Sequence, residues 1–401
     1  MQAVAERSWC DLRLSYTRYL LEGALPVGTA GIDSTAARLE ESNIDKPDRA
    51  RRWLLYGATG YTGRLIAHEA RRLGLRPILA GRDATALGAL GSATGLPTCT
   101  ARLDDPGALD AALSDVALVL HCAGPFSATS APMREACLRV GTHYLDITGE
   151  IDVFVAAEAE HERAVQAGVL LCPGVGFDVV PTDCVAASLH EALPDATHLA
   201  LGFAGLDALS AGTAATSLEA IARGMSRVRE AGAIVDVPFG ARSRLADFGR
   251  GPEPSFVIPW GDVATAYFST GIPNIEVHVP ARSRSARSIR AMQPLARVLS
   301  GAMLRHGLHR LLRVVAAGPS ERQRGRQAAF VWGEVRNPAG ELRRAELRTG
   351  DGYALTIQTA LMAVRHVLDA RPVAGYRTPS QLMGARCIER VTGARSIVLT
   401  G

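Results

Sequence analysis

The sequence predicts an α/β protein, a doubly wound parallel sheet followed by a second, α+β domain. Three observations carry that expectation. Between residues 52 and 172, short apolar runs alternate with amphipathic segments, the spacing of parallel strands joined by crossover helices. A glycine-rich turn stands between the first run and the first helical segment. After about residue 197 the rhythm changes to several strand-like runs with few helices between them.

The elements follow in order. Residues 1–50 lack strand periodicity and are turn-rich over 42–48, so a weakly ordered extension without function is expected there. The run 52–56 reads as the first strand, 64–73 as a helix and 76–80 as the second strand. The alternation continues through 98–103, 108–113, 116–121, 132–140, 143–147, 152–167 and 169–172. Residues 213–231 read as one helix, and 264–269, 275–279, 328–336 and 343–348 as strands, with a turn at 337–341 between the last two. A final helix covers 353–368, and sequence position alone leaves open whether it returns to the first domain. The expected division is 51–197 for the nucleotide-binding domain, 198–350 for the substrate domain and 351–401 for a C-terminal segment.

The chain has 401 residues, 44 basic and 40 acidic, for a net charge of +4. That length buries a sizeable core, and 47% hydrophobic residues exclude a disordered or collagenous chain. Seven cysteines, an odd number with no CxxC spacing, argue against a disulfide scaffold and a zinc site, so no metal is expected. A reducing cytoplasm fits that usage. Charges at Glu6, Arg7, Asp11, Arg13 and Arg18 leave no apolar signal-peptide core, and no run is long enough to span a bilayer. Lys46 is the only lysine, so the domains beyond it contain no Schiff-base lysine, no P-loop lysine and no Tyr-x-x-x-Lys pair.

Gly57-Ala-Thr-Gly-Tyr-Thr-Gly63 has the form GxxGxxG between a predicted strand and a predicted helix. Gly57 permits the tight turn, Gly60 lets backbone approach a pyrophosphate, and Gly63 lets the helix pack closely on the sheet. Thr59, Tyr61 and Thr62 complete the turn, whose helix start offers N–H groups and a positive dipole end to phosphate. The second strand ends at Gly81 and Arg82, where an NAD-selective site usually carries a carboxylate. Arginine there matches a 2′-phosphate and favours NADP(H); the competing reading has Arg82 solvated and Asp83 on the ribose. Asp104 either meets the adenine edge or, like Asp105, caps the next helix. Ala123, Gly124, Pro125 and Phe126 follow the fourth strand, where small residues let a cofactor pass and Phe126 walls the nicotinamide, or simply shape a loop.

At this point the chain resembles the saccharopine dehydrogenase-like oxidoreductases, a group that includes trans-acting enoyl reductases. The residues that carry the resemblance are GATGYTG at 57–63, AGRD at 80–83, CAGPF at 122–126, YLDITGE at 144–150 and PGVGFDVVPTDC at 173–184. TGIPNIEV at 270–277, GPSERQR at 318–324 and GYRTPSQLMG at 375–384 extend it, so that it covers roughly residues 52–400. The resemblance implies a Rossmann-type doubly wound parallel sheet that binds NADP(H), with a second α+β domain of the saccharopine-reductase type. It also implies hydride transfer to or from a small-molecule or acyl substrate at the cleft between the domains, and leaves the substrate open.

Three carboxylates are catalytic candidates. Asp146 and Glu150 sit at the end of the fifth strand, where ligands meet an open α/β sheet; alternatively Asp146 braces the loop through backbone N–H bonds. Asp178 follows Gly176 and Phe177, which could approach and cover the nicotinamide ring. Thr182 and Asp183 read as a helix start. His121 and His143, placed at strand ends, are proton-donor alternatives to be weighed against a core role.

Residues 282–348 contain 15 arginines and four acidic residues. Within them, the apolar segment from Met292 to Ala317 carries Arg297, Arg305, Arg310 and Arg313. It reads either as a partly buried helix with a solvated basic face or as one that contacts an acyl chain or, peripherally, a membrane surface. No nucleic-acid motif occurs. A homodimer is expected. The preferred activity is reduction of a C=C bond of an acyl, lipid or polyketide-type substrate, because no compact cationic clamp for amino-acid carboxylates stands out. The alternatives are an imine or secondary-amine dehydrogenase and a non-catalytic NADP-binding regulator.

Overall fold

The structure, a computed structural model, describes residues 49–205, 225–281, 328–370 and 372–401. Contacts divide the chain into Met1–Pro47 and Asp48–Gly401, and every described residue belongs to the second unit. The expectations for the N-terminal extension, apart from its last two residues, and for the helix 292–317 lie outside the described residues.

The first sheet is parallel throughout. Its strands are β1 (Trp53–Tyr56), β2 (Ile78–Gly81), β3 (Thr98–Thr100), β4 (Leu118–His121), β5 (His143–Asp146), β6 (Leu170–Cys172) and β15 (Gly375–Tyr376), in the order β15-β6-β5-β4-β1-β2-β3. The first six have the 3-2-1-4-5-6 order of dinucleotide-binding sheets. Both β1 and β4 are buried along their whole length, which is why the sequence gives them as unbroken apolar runs. Their connections are α1 (Tyr61–Arg72), α2 (Ala84–Thr94), α3 (Pro106–Leu113), α4 (Phe126–Val140), and α5 (Ile151–Ala159) with α6 (His161–Ala167). Asp83 and Asp105 start α2 and α3 by accepting the N–H groups of Ala86 and Ala108.

After β6, α7 (Val180–Ala192) leads to the second sheet. That sheet runs β10 (Ser243–Asp247), β11 (Pro252–Val257), β12 (Asn274–Pro280), β7 (His198–Ala204), β13 (Ala329–Arg336), β14 (Leu342–Thr349), β16 (Val398–Thr400). The hairpin of β8 (Met225–Glu230) and β9 (Ala233–Pro238) joins it through β12. All pairs are antiparallel except β12 with β7. Its inner face packs on α7 and on α8 (Asp262–Thr270). One apolar core, from Trp53 and Leu120 to Val331 and Leu347, runs through both layers.

Two sequence expectations are corrected. Residues 225–230, assigned to a helix, form β8: Ser226 and Val228 are buried while Arg227 stands outward, the period of a strand, and Ala231 and Gly232 turn the hairpin with φ of 46° and 82°. Residues 264–269, assigned to a strand, lie in α8, which Gly271 terminates in the left-handed region. The last long helix, α9 (Gly352–Asp369), packs on α1, β4 and β5, and so lies against the first sheet. Behind it come β15, α10 (Pro379–Met383) and β16. No helix among the described residues is long and apolar enough to cross a membrane.

Candidate functional site: the carboxyl edge of the first sheet

The glycine turn leaves β1 and enters α1. Gly57 has φ +78°, and a Cβ there would come within 2.7 Å of the Ala123 nitrogen. A Cβ on Gly63 would come within 2.3 Å of the Gly57 oxygen, so helix and turn are in backbone contact. Gly60, by contrast, is exposed and its only close neighbour is the Gly57 oxygen at 3.2 Å. No side chain caps the first turn of α1, so the turn presents open backbone to an anion at a helix start. Tyr61 meets Tyr353 of α9 edge to face, with centroids 5.2 Å apart, and Arg64 donates to the Thr59 carbonyl at 2.9 Å. Thr62 is half-buried in the same turn.

Beside this turn, Gly81 ends β2, and a Cβ there would meet only Leu87 Cδ1, at 4.0 Å. Arg82 is exposed and makes no hydrogen bond or ion pair with any described residue. Asp83 is committed to capping α2, which leaves the guanidinium as the polar group available at this strand end. The Asp104 carboxylate is also committed, in a two-point contact with Arg102 at 2.7 and 2.9 Å that lowers its pKa. The other reading of Asp104, as cap of the next helix, falls to its neighbour Asp105.

The other half of the edge is made by the loops after β4, β5 and β6. Ala123, Gly124, Pro125 and Phe126 turn from β4 into α4, and the Phe126 ring stands edge-on to His121. Asp146 is fully buried. Its Oδ2 accepts from the Tyr144 hydroxyl at 2.6 Å, and its Oδ1 accepts from the backbone of Thr148 at 2.9 Å and Gly174 at 2.8 Å. It ties the β5 loop to the β6 loop. Burial raises its pKa to about 6 against those hydrogen bonds. Glu150 accepts from the Phe126 and Ser127 N–H groups at 2.9 and 2.8 Å and so caps α4 from across the loop. Both carboxylates therefore hold the loops of this edge in place.

Asp178 differs. Its carboxyl has no hydrogen-bond partner among the described residues, and burial pushes it up to about 7. The facing wall is fixed closely: a Cβ on Gly149 would lie 3.1 Å from its Oδ2, and Trp260 Nε1 donates to its backbone carbonyl at 2.8 Å. Gly176 and Phe177 precede it. The Phe177 N–H donates to Thr356 Oγ1 at 3.0 Å, and Thr359 Oγ1 donates to the Val175 carbonyl at 2.8 Å, so α9 sets the height of this loop. The Phe177, Phe203 and Trp260 rings form a contiguous apolar wall.

The histidine alternatives are corrected. His121 is buried among Tyr56, Phe126 and Tyr144, and burial lowers its pKa to about 3, so it stays neutral. His143 opens β5 and therefore sits at the amino end of the strand, accepting the Leu170 N–H through Nδ1. Asp183 pins α10 to α7 by accepting from Ser269 and from the Ser380 N–H. Among the described residues no group of three or more His, Cys, Asp or Glu could hold a metal. Sequence reasoning missed Trp260, Asp262, Thr356 and Thr359. The tryptophan set among Pro, Gly and Asp at 259–262 was the available signal for the first two.

An open glycine turn at a helix start, a 3-2-1-4-5-6 strand order and a free arginine beyond β2 define a dinucleotide-binding domain of the Rossmann class. Residues 53–172 match the family described as Saccharopine dehydrogenase NADP binding domain. A Trans-acting enoyl reductase from Mycobacterium ulcerans is 31% identical over 61% of this chain and 62% of its own length. A Trans-acting enoyl reductase from Mycobacterium tuberculosis is 30% identical, again over 61% of this chain and 62% of that one. The chain spans about half to three fifths of the length of the curated relatives it matches. Saccharopine dehydrogenase (L-Glu forming) from Saccharomyces cerevisiae superposes with a TM-score of 0.57 over 87% of this chain and 99% of that one, at 12% identity. The two share their fold.

Proposed function

We propose that the protein is an NADP(H)-dependent oxidoreductase that reduces a C=C bond conjugated to the carbonyl of an acyl or polyketide-type substrate. One observation carries the choice of substrate. The loops at 122–127, 147–150, 173–179 and 258–262 and the first turn of α9 contain no Lys, Arg or His. Among the described residues of this rim a substrate bearing amino-acid carboxylates would find no cation, whereas an acyl chain needs none. The relatives named as enoyl reductases support the same reading.

Gly57, Gly60 and Gly63 with the start of α1 would hold the pyrophosphate, Arg82 the 2′-phosphate, and the 123–126 and 174–177 segments the nicotinamide. NADPH held there would supply the hydride for one carbon of the double bond. The chain's task is then to orient the acyl group, exclude water and deliver a proton to the neighbouring carbon. Asp178 suits that delivery: a carboxyl titrating near 7 still holds a proton at neutral pH and has no other partner. Asp146 and Thr356 keep its loop in place.

The test is NADPH oxidation with a panel of 2-enoyl thioesters, with the saturated product identified by mass and a cyclic imine panel as comparison. Asp178→Asn should lower kcat by roughly a hundredfold or more with NADPH affinity unchanged. Turnover confined to imines would overturn the substrate class. An undiminished rate in the variant would overturn the assignment of Asp178.

A further inference from the structure

The inner face of the second sheet continues the apolar wall of the site. The Phe203 ring of β7 stands 4.7 Å from Trp260 and 6.4 Å from Phe177, centroid to centroid, and Trp260 Nε1 donates to the Asp178 carbonyl at 2.8 Å. Strand register carries this wall sideways. The pairing of His278 with Gly202 sets Val279 of β12 beside Phe203, and Val279 pairs in turn with Phe256 of β11. Cross-strand partners share a face, so Phe203, Val279 and Phe256 form one row. Phe239 packs on the Phe256 ring with centroids 5.2 Å apart. Phe256 pairs with Ser243 of β10, and Leu245, two residues further on, points the same way.

The row is apolar because the strands sort their side chains. The opposite face of the same sheet carries the charges, with Arg244 paired to Glu334 and Glu276 to His278. On the inner face, α7 packs on β13, β14 and β7, and α8 on β12 and β8. Toward β10 the face opens to solvent: Val279 and Phe239 are half-buried, and Leu245 is 68% exposed. A single exposed leucine needs no explanation, but this one ends an apolar row that begins at the site.

We propose that the acyl chain of the substrate lies across this face, over Phe203, Val279 and Phe256 toward Leu245, and that Val279 sets the length of chain accepted. The proposal rests on the enoyl-reductase reading of the site and adds where its substrate runs. From β7 to β10 three strand spacings span about 14 Å, the length of an extended chain of about eleven carbons. A chain laid along the row with its thioester at Asp178 therefore ends at Leu245, at solvent. Val279 is the smallest side chain of the row and lies between two phenylalanines, so the row is lowest there and the chain crosses at that point. A methylene pressed against one apolar face loses about half its hydration, which is worth about twofold in binding.

The test compares crotonyl and 2-dodecenoyl thioesters with saturating NADPH. The longer substrate carries eight more methylenes, so the unaltered protein should favour it by on the order of a hundredfold in kcat/KM. Val279→Phe fills the low point of the row, and should lower kcat/KM for the dodecenoyl thioester about tenfold more than for the crotonyl one. Leu245→Asp sets a carboxylate at the end of the path, in a position exposed enough to tolerate it, and should shift the ratio of the two substrates in the same direction by about tenfold. Equal efficiency with both thioesters in the unaltered protein, or equal losses for both in the two variants, would overturn the proposal. So would a Leu245→Asp variant that keeps the chain-length preference but sediments differently from the parent, because the face would then be a contact between two copies of this chain. Turnover of neither thioester would be a distinct result: it would overturn the enoyl-reductase reading itself, and this proposal with it.

Discussion

If Asp178 is a proton donor lifted by burial, it must destabilise the fold when it ionises. Its folded pKa is about 7, against an ordinary 3.8. Below pH 3.8 the group is protonated in both states and contributes nothing. Between there and 7 the unfolded chain releases the proton while the folded one keeps it, so stability falls as pH rises; above 7 the loss is constant. Taken at full value, the shift corresponds to about 4 kcal/mol. The side chain is partly exposed, and solvent screening brings the expected loss to about 2 kcal/mol. Asp178→Asn removes the titration. The variant should match the parent near pH 4 and exceed it by about 2 kcal/mol at pH 8, a rise of a few degrees in Tm, while losing its activity. Urea unfolding at both pH values reads this directly. A variant equally or less stable than the parent at pH 8 would refute the argument that an unpartnered, desolvated carboxyl sits at the site.

Two further substitutions probe the cofactor half. Arg82→Ala removes the one uncommitted cation at the end of β2, and should weaken NADPH by about ten- to a hundredfold, the worth of a charge-assisted hydrogen bond, while leaving NADH almost unchanged; equal losses in fluorescence titrations would exclude a 2′-phosphate contact. Gly63→Ala places a methyl group 2.3 Å from the Gly57 oxygen and 2.9 Å from the Ala58 Cα, both backbone atoms that cannot swing aside. It should cost about 1–3 kcal/mol in chemical denaturation and weaken NADPH as the turn is forced open.

The first sheet was legible because its signals are local. The strands β1, β4 and β6 are fully buried apolar runs, and the glycine turn falls where strand meets helix. Where the signal was short or shared between two periods, the reading failed. Met225–Glu230 has too few residues to separate alternation from helical spacing, and only the Ala231–Gly232 turn and its pairing with β9 decide the matter. The run 264–269, rich in Ala, Thr and aromatics, is compatible with either state; its helix is set by the glycines that flank α8. The missing parts of the site are non-local. Thr356 and Thr359 reach the β6 loop across 179 and 184 residues of chain, and Trp260 reaches Asp178 across 82. Nothing in the local pattern of α9 marks two threonines of one face as supports for a distant loop.

The carboxylates show where sequence reading stops. Asp146, Glu150 and Asp178 all follow strands of the same sheet at its ligand-facing edge, and by residue type and position they were equal candidates. The structure separates them by the donors each one meets. Asp146 accepts three hydrogen bonds, Glu150 accepts two backbone N–H groups, and Asp178 accepts none. A carboxylate that receives several N–H bonds is worth more to the fold ionised and fixed than mobile. A carboxyl that receives none, and is desolvated, gains by keeping a proton and by giving it up only to a group that needs it. Four of these five donors are backbone amides, which carry no side-chain signature, and the fifth is the Tyr144 hydroxyl, so the sequence displays the acids and hides most of what decides between them.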